Sequence, residues 1–326
     1  EIDTLLPHLF AARRVALSTH VSADGDGCGS EAALALLLAQ KGLEAIIVNP
    51  TPWPAMYRYL LVPGVRDESA RGAAALAEAD RLVVLDISDV RRLGGLAAAV
   101  RALPMPPLVI DHHLPGEEPP GTINVTDTAA CATGELVYDL AQAAGLDITP
   151  EIATALYTAL LTDTGGFRFS NTSARCLAVA SRLVAAGVDP ETMYRRIYAS
   201  MPVGRLHLLK EVLDTLVVDR AGLASVAITA GALERHGVNP DDLDGFAEYP
   251  RSIAGTRLAL LFRDLGRGQV KVSFRSISGV DAHALARSFG GGGHARAAGA
   301  LVNGTLSEVR ERVETAARAA LAAQAG

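Results

Sequence analysis

Cysteine is scarce in this 326-residue chain. Cys28, Cys131 and Cys176 are odd in number and far apart, which implies no disulfide framework and suits a reducing, cytoplasmic compartment. Long apolar runs are also missing. None approaches the ~18 residues that a membrane-spanning helix needs, so no membrane association is expected. The longest candidates, such as residues 152–162, have the length of a buried helix. The first residues, Glu1-Ile2-Asp3, lack the basic-then-apolar pattern of a secretory signal. They also lack an initiator methionine, which leaves room for a segment upstream. There is no internal repeat and no low-complexity segment beyond alanine richness. Solenoid and disordered classes are therefore excluded.

What is present is ordinary globular usage: 49% hydrophobic and 20% charged residues, with 31 Gly and 16 Pro. A chain of this size buries roughly 75% of its unfolded surface on folding and needs no covalent staple. Charge is unevenly placed. Residues 251–326 carry 11 Lys and Arg against 5 Asp and Glu, a net of +6, and residues 1–250 carry a net of −12. An acidic body argues against coating long duplex DNA. It suits acids that hold metal and arginines that hold a phosphorylated ligand.

Short β-branched runs at residues 15–19, 45–48, 81–85 and 108–110 alternate with helical stretches at 30–41, 134–144 and 150–162. That alternation predicts an α/β domain with a parallel sheet and helices on both faces. An irregular stretch around 188–200 and a helix over 202–216 then read as the passage between domains. Strands at 223–228, 258–262, 269–274 and 300–302, with helices at 281–288 and 306–323, predict a smaller C-terminal α+β domain. The expected division is 1–200, a linker helix at 201–217, and 218–326.

Polar residues gather where apolar runs end. The first strand leads into His20-Val-Ser-Ala-Asp24-Gly25-Asp26-Gly27-Cys28-Gly29-Ser30. An imidazole and two carboxylates there suit Mn²⁺, Zn²⁺ or Mg²⁺, with glycines allowing a tight loop. A solvated acidic turn capped by Ser30 accounts for this segment equally well. A dinucleotide loop does not: Ser30 stands where the third glycine belongs, two acids would repel a pyrophosphate, and the second strand ends in Asn49. The third strand ends in Asp86, and the fourth runs into Asp111-His112-His113. A helix ends at Asp163 before Gly165-Gly166. A parallel sheet brings strand exits to one edge, and so many acids meeting there without a cation would repel strongly. In the basic domain, Gly290-Gly291-Gly292-Gly293-His294-Ala-Arg296 reads as an anion nest with added donors, or as a hinge loop. Arg275-Ser276 offers a second anchor. The segment around Trp53, residues 50–59, reads as a packed loop in preference to a mobile flap.

With these residues in order, the chain resembles the DHH phosphoesterases, named for the triplet that stands here as Asp111-His112-His113. Their four metal-binding motifs appear as His20-x3-Asp24-x-Asp26, Asp86, Asp111-His112-His113 and Asp163. The glycine-rich segment looks like that of the DHH-associated substrate domain. Ala23 departs from the proline usual before the first acid. There is no room for the extra domains of RecJ-type exonucleases, and the Ser-Arg-Lys anchor of family II pyrophosphatases is absent. The compact NrnA-like group remains.

The resemblance implies a phosphodiesterase and phosphatase that degrades very short RNA or DNA single strands to mononucleotides and dephosphorylates 3′-phosphoadenosine 5′-phosphate (pAp). Alternatives within the family are hydrolysis of cyclic di-AMP or pApA and a RecJ-like single-strand exonuclease. A small-ester phosphatase and a non-catalytic nucleotide sensor are the rivals outside these. The resemblance implies two Mn²⁺, with Mg²⁺ or Co²⁺ as alternatives, about 3.5–4 Å apart and sharing a bridging hydroxide nucleophile. His20, Asp24 and Asp86 would hold one. Asp26, Asp86, His112 and Asp163 would hold the other. His113 would contact phosphate, and Asp111 would orient the histidines. Gly291, Gly292, Gly293, His294, Arg296, Arg275 and Ser276 would grip a terminal phosphate, making the second domain a ruler for length. Relatives also pair as homodimers.

Overall fold

Five short strands carry the first half of the chain: β1 (Arg14–Ser18), β2 (Glu44–Ile47), β3 (Arg81–Leu85), β4 (Leu108–Asp111) and β5 (Ile123–Thr126). They form one all-parallel sheet in the order β2-β1-β3-β4-β5. In this computed structural model, residues 1–243, 245–293 and 295–323 are described. The chain divides into two units, Glu1–Ser200 and Met201–Gly326.

The parallel sheet is buried on both faces, as its side-chain alternation requires. Val15, Leu17, Ala45, Ile47, Val83 and Leu85 face a large core with the helices Gly25–Gln40, Thr133–Ala143 and Pro150–Asp163. Ala16, Ile46, Leu82 and Val84 face the other side, against Leu76, Leu93, Leu96 and Val100. The strand order reverses between β1 and β3. In open parallel sheets the crevice beyond the strand ends at such a reversal is where ligands bind.

Three expectations need correction. The first long helix starts at Gly25, not at residue 30, because Asp24 caps it by accepting from the Asp26 and Gly27 N–H groups. Its glycines then serve close packing more than loop turning. A Cβ on Gly25 would lie 2.4 Å from the Thr162 side chain, and one on Gly29 would lie 2.4 Å from the Ala155 carbonyl oxygen. The stretch around 188–200 is not irregular: Pro190–Tyr198 is a helix, opened by the Asp189 cap with Pro190 in its first turn. The loop reading around Trp53 holds in part, since Trp53 is buried, but Ala55–Leu60 forms a 3₁₀ helix.

The second unit is a mixed sheet. Its strands are β6 (Val217–Val218), β7 (Leu223–Ile228), β8 (Leu258–Asp264), β9 (Gln269–Ser276), β10 (Gly292–Gly293) and β11 (Ala297–Asn303), in the order β10-β11-β9-β8-β7-β6. Only β7 and β8 run parallel. One face packs Leu258, Leu260, Phe262, Val272 and Phe274 against the helix Leu306–Ala322. On the other, Leu208 and Val212 of the helix Val203–Leu213 pack with Val226, Ile228 and Leu261. No helix among the described residues is long and apolar enough to cross a membrane.

Candidate metal centre

Strand exits on either side of the β1/β3 reversal supply most of the site. His20 follows β1, Asp86 follows β3, and His112 and His113 follow β4. Asp26 lies in the first turn of the Gly25–Gln40 helix, and Asp163 ends the Pro150–Asp163 helix. Asp86 sits at φ +61°, rare for a non-glycine residue, while its N–H still donates to the Ile110 carbonyl at 3.0 Å. Strain of this kind persists where the surroundings hold a side chain to one aim.

The side chains form two groups that share Asp86. In the first, His20 Nε2 lies 3.6 Å from Asp24 Oδ2 and 3.4 Å from Asp86 Oδ2. In the second, His112 Nε2 lies 3.6 Å from each of Asp26 Oδ2, Asp86 Oδ1 and Asp163 Oδ2. The two carboxylate oxygens of Asp86 thus face one group each. Both histidines are fixed through Nδ1, His20 to the Val21 carbonyl at 2.9 Å and His112 to the Ala130 carbonyl at 3.3 Å. A carbonyl accepts only from N–H, so Nε2 of the neutral ring keeps its lone pair. Both Nε2 atoms are buried without a hydrogen-bond partner. His20-Asp24-Asp86 and Asp26-His112-Asp163 each place ligand atoms within 4.8 Å of one another. Orphaned imidazole nitrogens aimed into carboxylates fit a divalent cation in each group.

The charge balance points the same way. Asp26 is buried, and burial together with the Asp86 and Asp163 charges pushes its carboxyl well above the usual range. Burial lifts Asp163 to about 6 against the pull of His112. Burial opposes a charge on His20, yet the Asp24 and Asp86 carboxylates override it and raise the ring to about 10. Partial desolvation works against the charge of the half-exposed Asp24, but His20 and the Gly27 N–H hold its carboxyl below the ordinary value. The pocket therefore favours positive charge at its centre.

Asp111 lies outside both groups. Its Oδ1 accepts from His113 Nδ1 at 2.8 Å and from the His113 N–H at 3.2 Å. This pairing raises the pKa of His113, whose side chain is 40% exposed. His113 Nδ1 also lies 3.4 Å from Asp86 Oδ1.

Supporting residues escaped the sequence. The N–H groups of Thr133 and Gly134 donate to the two oxygens of Asp26 at 2.7 and 2.9 Å, and the Thr133 hydroxyl donates to Asp86 at 3.3 Å. Asn171 donates to the carbonyl and, at 3.4 Å, to the carboxylate of Asp163. Thr-Gly opening a helix was a visible signal for an anion held at its N-terminus. Asn171 gave none, since only tertiary packing brings it to Asp163.

In the second unit, Arg275 pairs across the ladder with Ala297, and the Ser276 N–H donates to the Arg296 carbonyl at 2.9 Å. Arg275, Ser276 and Arg296 therefore share one end of the β9–β11 pair. The glycine run differs from a row of free donors. The Gly290 and Gly291 N–H groups close the end of the helix Ala282–Arg287 on the Arg287 and Ala286 carbonyls. Gly292 and Gly293 pair with β11. A Cβ on Gly291 would lie 2.1 Å from the Gly299 carbonyl oxygen, so the run serves close strand approach. His294 lies outside the described residues.

Comparison with known proteins agrees with this layout. Residues 14–160 match the DHH family, N-terminal domain, and residues 223–323 match the DHHA1 domain. The chain is 36% identical, over 93% of its length and 88% of the relative's, to the bifunctional oligoribonuclease and PAP phosphatase NrnA of Thermus thermophilus. It is 28% identical to the protein of that name from Bacillus subtilis, over 88% of this chain and 89% of that one. An exopolyphosphatase-related protein from Bacteroides fragilis superposes with a TM-score of 0.89 at 27% identity, covering 100% of this chain and 97% of that one. The paired cation-fitting groups on a parallel sheet and the two matched domains lead to one conclusion: the chain belongs to the DHH family of phosphoesterases.

Proposed function

We propose that the protein is a two-cation phosphoesterase that releases mononucleotides from very short oligonucleotides and removes the 3′-phosphate of pAp, with Mn²⁺ as its native ion. The observation that carries this reading is Asp86, whose two oxygens are divided between two groups that each hold an orphaned imidazole nitrogen. His20, Asp24 and Asp86 would hold one ion, and Asp26, Asp86, His112 and Asp163 the other. Mixed imidazole and carboxylate donors favour Mn²⁺ over Mg²⁺. Two such ions, when bound, supply an activated water and neutralise charge developing on the phosphoryl oxygens.

The chain's own residues do the rest. Asp111 holds His113 as a proton-bearing donor, and we assign that ring to a phosphate oxygen. Arg275, Ser276, His294 and Arg296 of the second unit would hold the substrate's terminal phosphate, while Gly291, Gly292 and Gly293 let the backbone approach closely beside them. The names of the Thermus and Bacillus relatives support the oligonucleotide and pAp substrates. Three free, buried cysteines support a cytoplasmic setting.

The test is mononucleotide release from 5′-labelled RNA of 2, 5 and 24 nucleotides, with Mn²⁺ and with EDTA, beside phosphate release from pAp. Mn²⁺-dependent release that falls steeply with length is expected. Equal rates at all three lengths would favour a RecJ-like exonuclease. No release from any RNA or from pAp would overturn the proposal.

A further inference from the structure

One short segment touches three ligands of the second group and reaches the fourth, Asp163, through Asn171. The Ala130 carbonyl accepts from His112 Nδ1. The Cys131 carbonyl accepts from Asn171 Nδ2 at 2.9 Å, and Asn171 in turn donates to Asp163. Thr133 and Gly134 donate their N–H groups to Asp26, and the Thr133 hydroxyl donates to Asp86. Residues 130–134 therefore set the tautomer of His112, the aim of Asp163 and both oxygens of Asp26. The first group is built differently. His20 is fixed by the next residue's carbonyl, and Asp24 by the N–H groups of its own helix.

The segment is itself held at one point. Fully buried Glu135 accepts the Cys131 N–H through Oε2 at 2.9 Å and pairs with Arg175 through Oε1. Arg175 also pairs with Asp139. A buried carboxylate with both oxygens engaged is costly to disturb. Gly134 is closely packed as well, since a Cβ there would lie 2.5 Å from Ala159 Cβ.

We propose that Glu135, pinned by Arg175, is a positioning residue that tunes one cation site and leaves the other alone. It would set the affinity of the Asp26-Asp86-His112-Asp163 group through residues 130–134, with Asn171 as the branch to Asp163. Partners that orient metal ligands commonly change metal affinity 10- to 100-fold. Glutamine at 135 keeps the volume but loses one acceptor, so either the Cys131 N–H or the Arg175 Nε–H loses its partner at residue 135. The inference rests on the two-cation reading of the site.

Calorimetric titration of the EDTA-stripped full chain with Mn²⁺ tests it. The wild type should show two binding events. Glu135→Gln should weaken one about 10- to 100-fold and leave the other within about twofold. Asn171→Ala should weaken the same event and carries the test if Glu135→Gln does not fold. In an Asp163→Ala background, which should remove the second group, Glu135→Gln should not affect the remaining event. Equal weakening of both events, or a lower melting temperature with both affinities intact, would reduce Glu135 to a structural role and overturn the proposal, while the two-cation reading stands. A wild type that takes up one Mn²⁺ or none overturns that reading and this inference together.

Discussion

The two sheets place their polar residues by different rules. In the parallel sheet β1, β3 and β4 all leave at the same edge, so His20, Asp86 and the Asp111–His113 triplet meet although up to 93 residues separate them. In the mixed sheet β8, β9 and β11 run antiparallel, so successive exits lie at opposite ends. Arg275, Ser276 and Arg296 come together through the register of one strand pair instead. Strand direction alone makes the first cluster a convergence of separate strand exits and the second a grouping at one end of a single strand pair.

Substitutions can sharpen this contrast. The largest effect should come from Asp86→Ala, since Asp86 faces both groups. Activity on dinucleotides should fall about 10³-fold or more, the scale of losing a preorganised charge stabiliser, and calorimetry should show Mn²⁺ uptake disturbed in both events. Loss confined to one event would mean that Asp86 does not join the groups. Gly29→Ala should be next. Its Cβ would press on the Ala155 backbone, and chemical denaturation should show the first unit losing about 1–3 kcal/mol.

Buried acids separate the units by pH. Burial raises Glu31 to about 8, although Asn49 donates to it at 2.8 Å. The native state then keeps a proton that the unfolded chain loses near its ordinary carboxyl value. Glu31 by itself should lower the stability of the first unit as pH rises from about 4.5 to 8, by at most about 1.4 kcal/mol per pH unit. Glu314 is the opposite case. Burial would raise it, but Ser225 donation and the Arg310 charge hold it below the ordinary value. Its contribution is present above that value and is lost as pH falls through the depressed pKa. Melting curves of Glu31→Gln should show a shallower loss of stability between about pH 4.5 and 8, and an unchanged slope would show that Glu31 is ionised in the fold. The smallest effect should be Arg296→Ala, which should raise KM several-fold with kcat nearly intact. A fall in kcat alone would remove Arg296 from substrate binding.

The site was far more legible than its supports. His20, Asp24, Asp26, Asp86, Asp111, His112, His113 and Asp163 stand at or near the ends of elements, and apolar runs mark such ends directly. Strand β5 was missed because it is a four-residue edge strand with only Val125 buried, so it has almost no pattern to read. The helix Pro190–Tyr198 was missed because Met193 alone is buried in it, although Asp189-Pro190 was a readable start. Asn171 and Arg175 act across 8 and 40 residues through packing, which no local spacing reveals. The glycines of the first motif were seen, but their purpose was not. Their neighbours are Thr162, Thr19 and Ala155, two of them on a helix more than 120 residues away.

That contact has a mechanical consequence. At Gly29 the helices Gly25–Gln40 and Pro150–Asp163 meet nearly main chain to main chain, with only the methyl of Ala159 beside the contact. Asp26 rides on one helix and Asp163 on the other. Their separation is therefore gauged by the van der Waals radii of backbone atoms at Gly29 and of the short Thr162 side chain at Gly25, which hydrostatic pressure and a drifting core composition barely change.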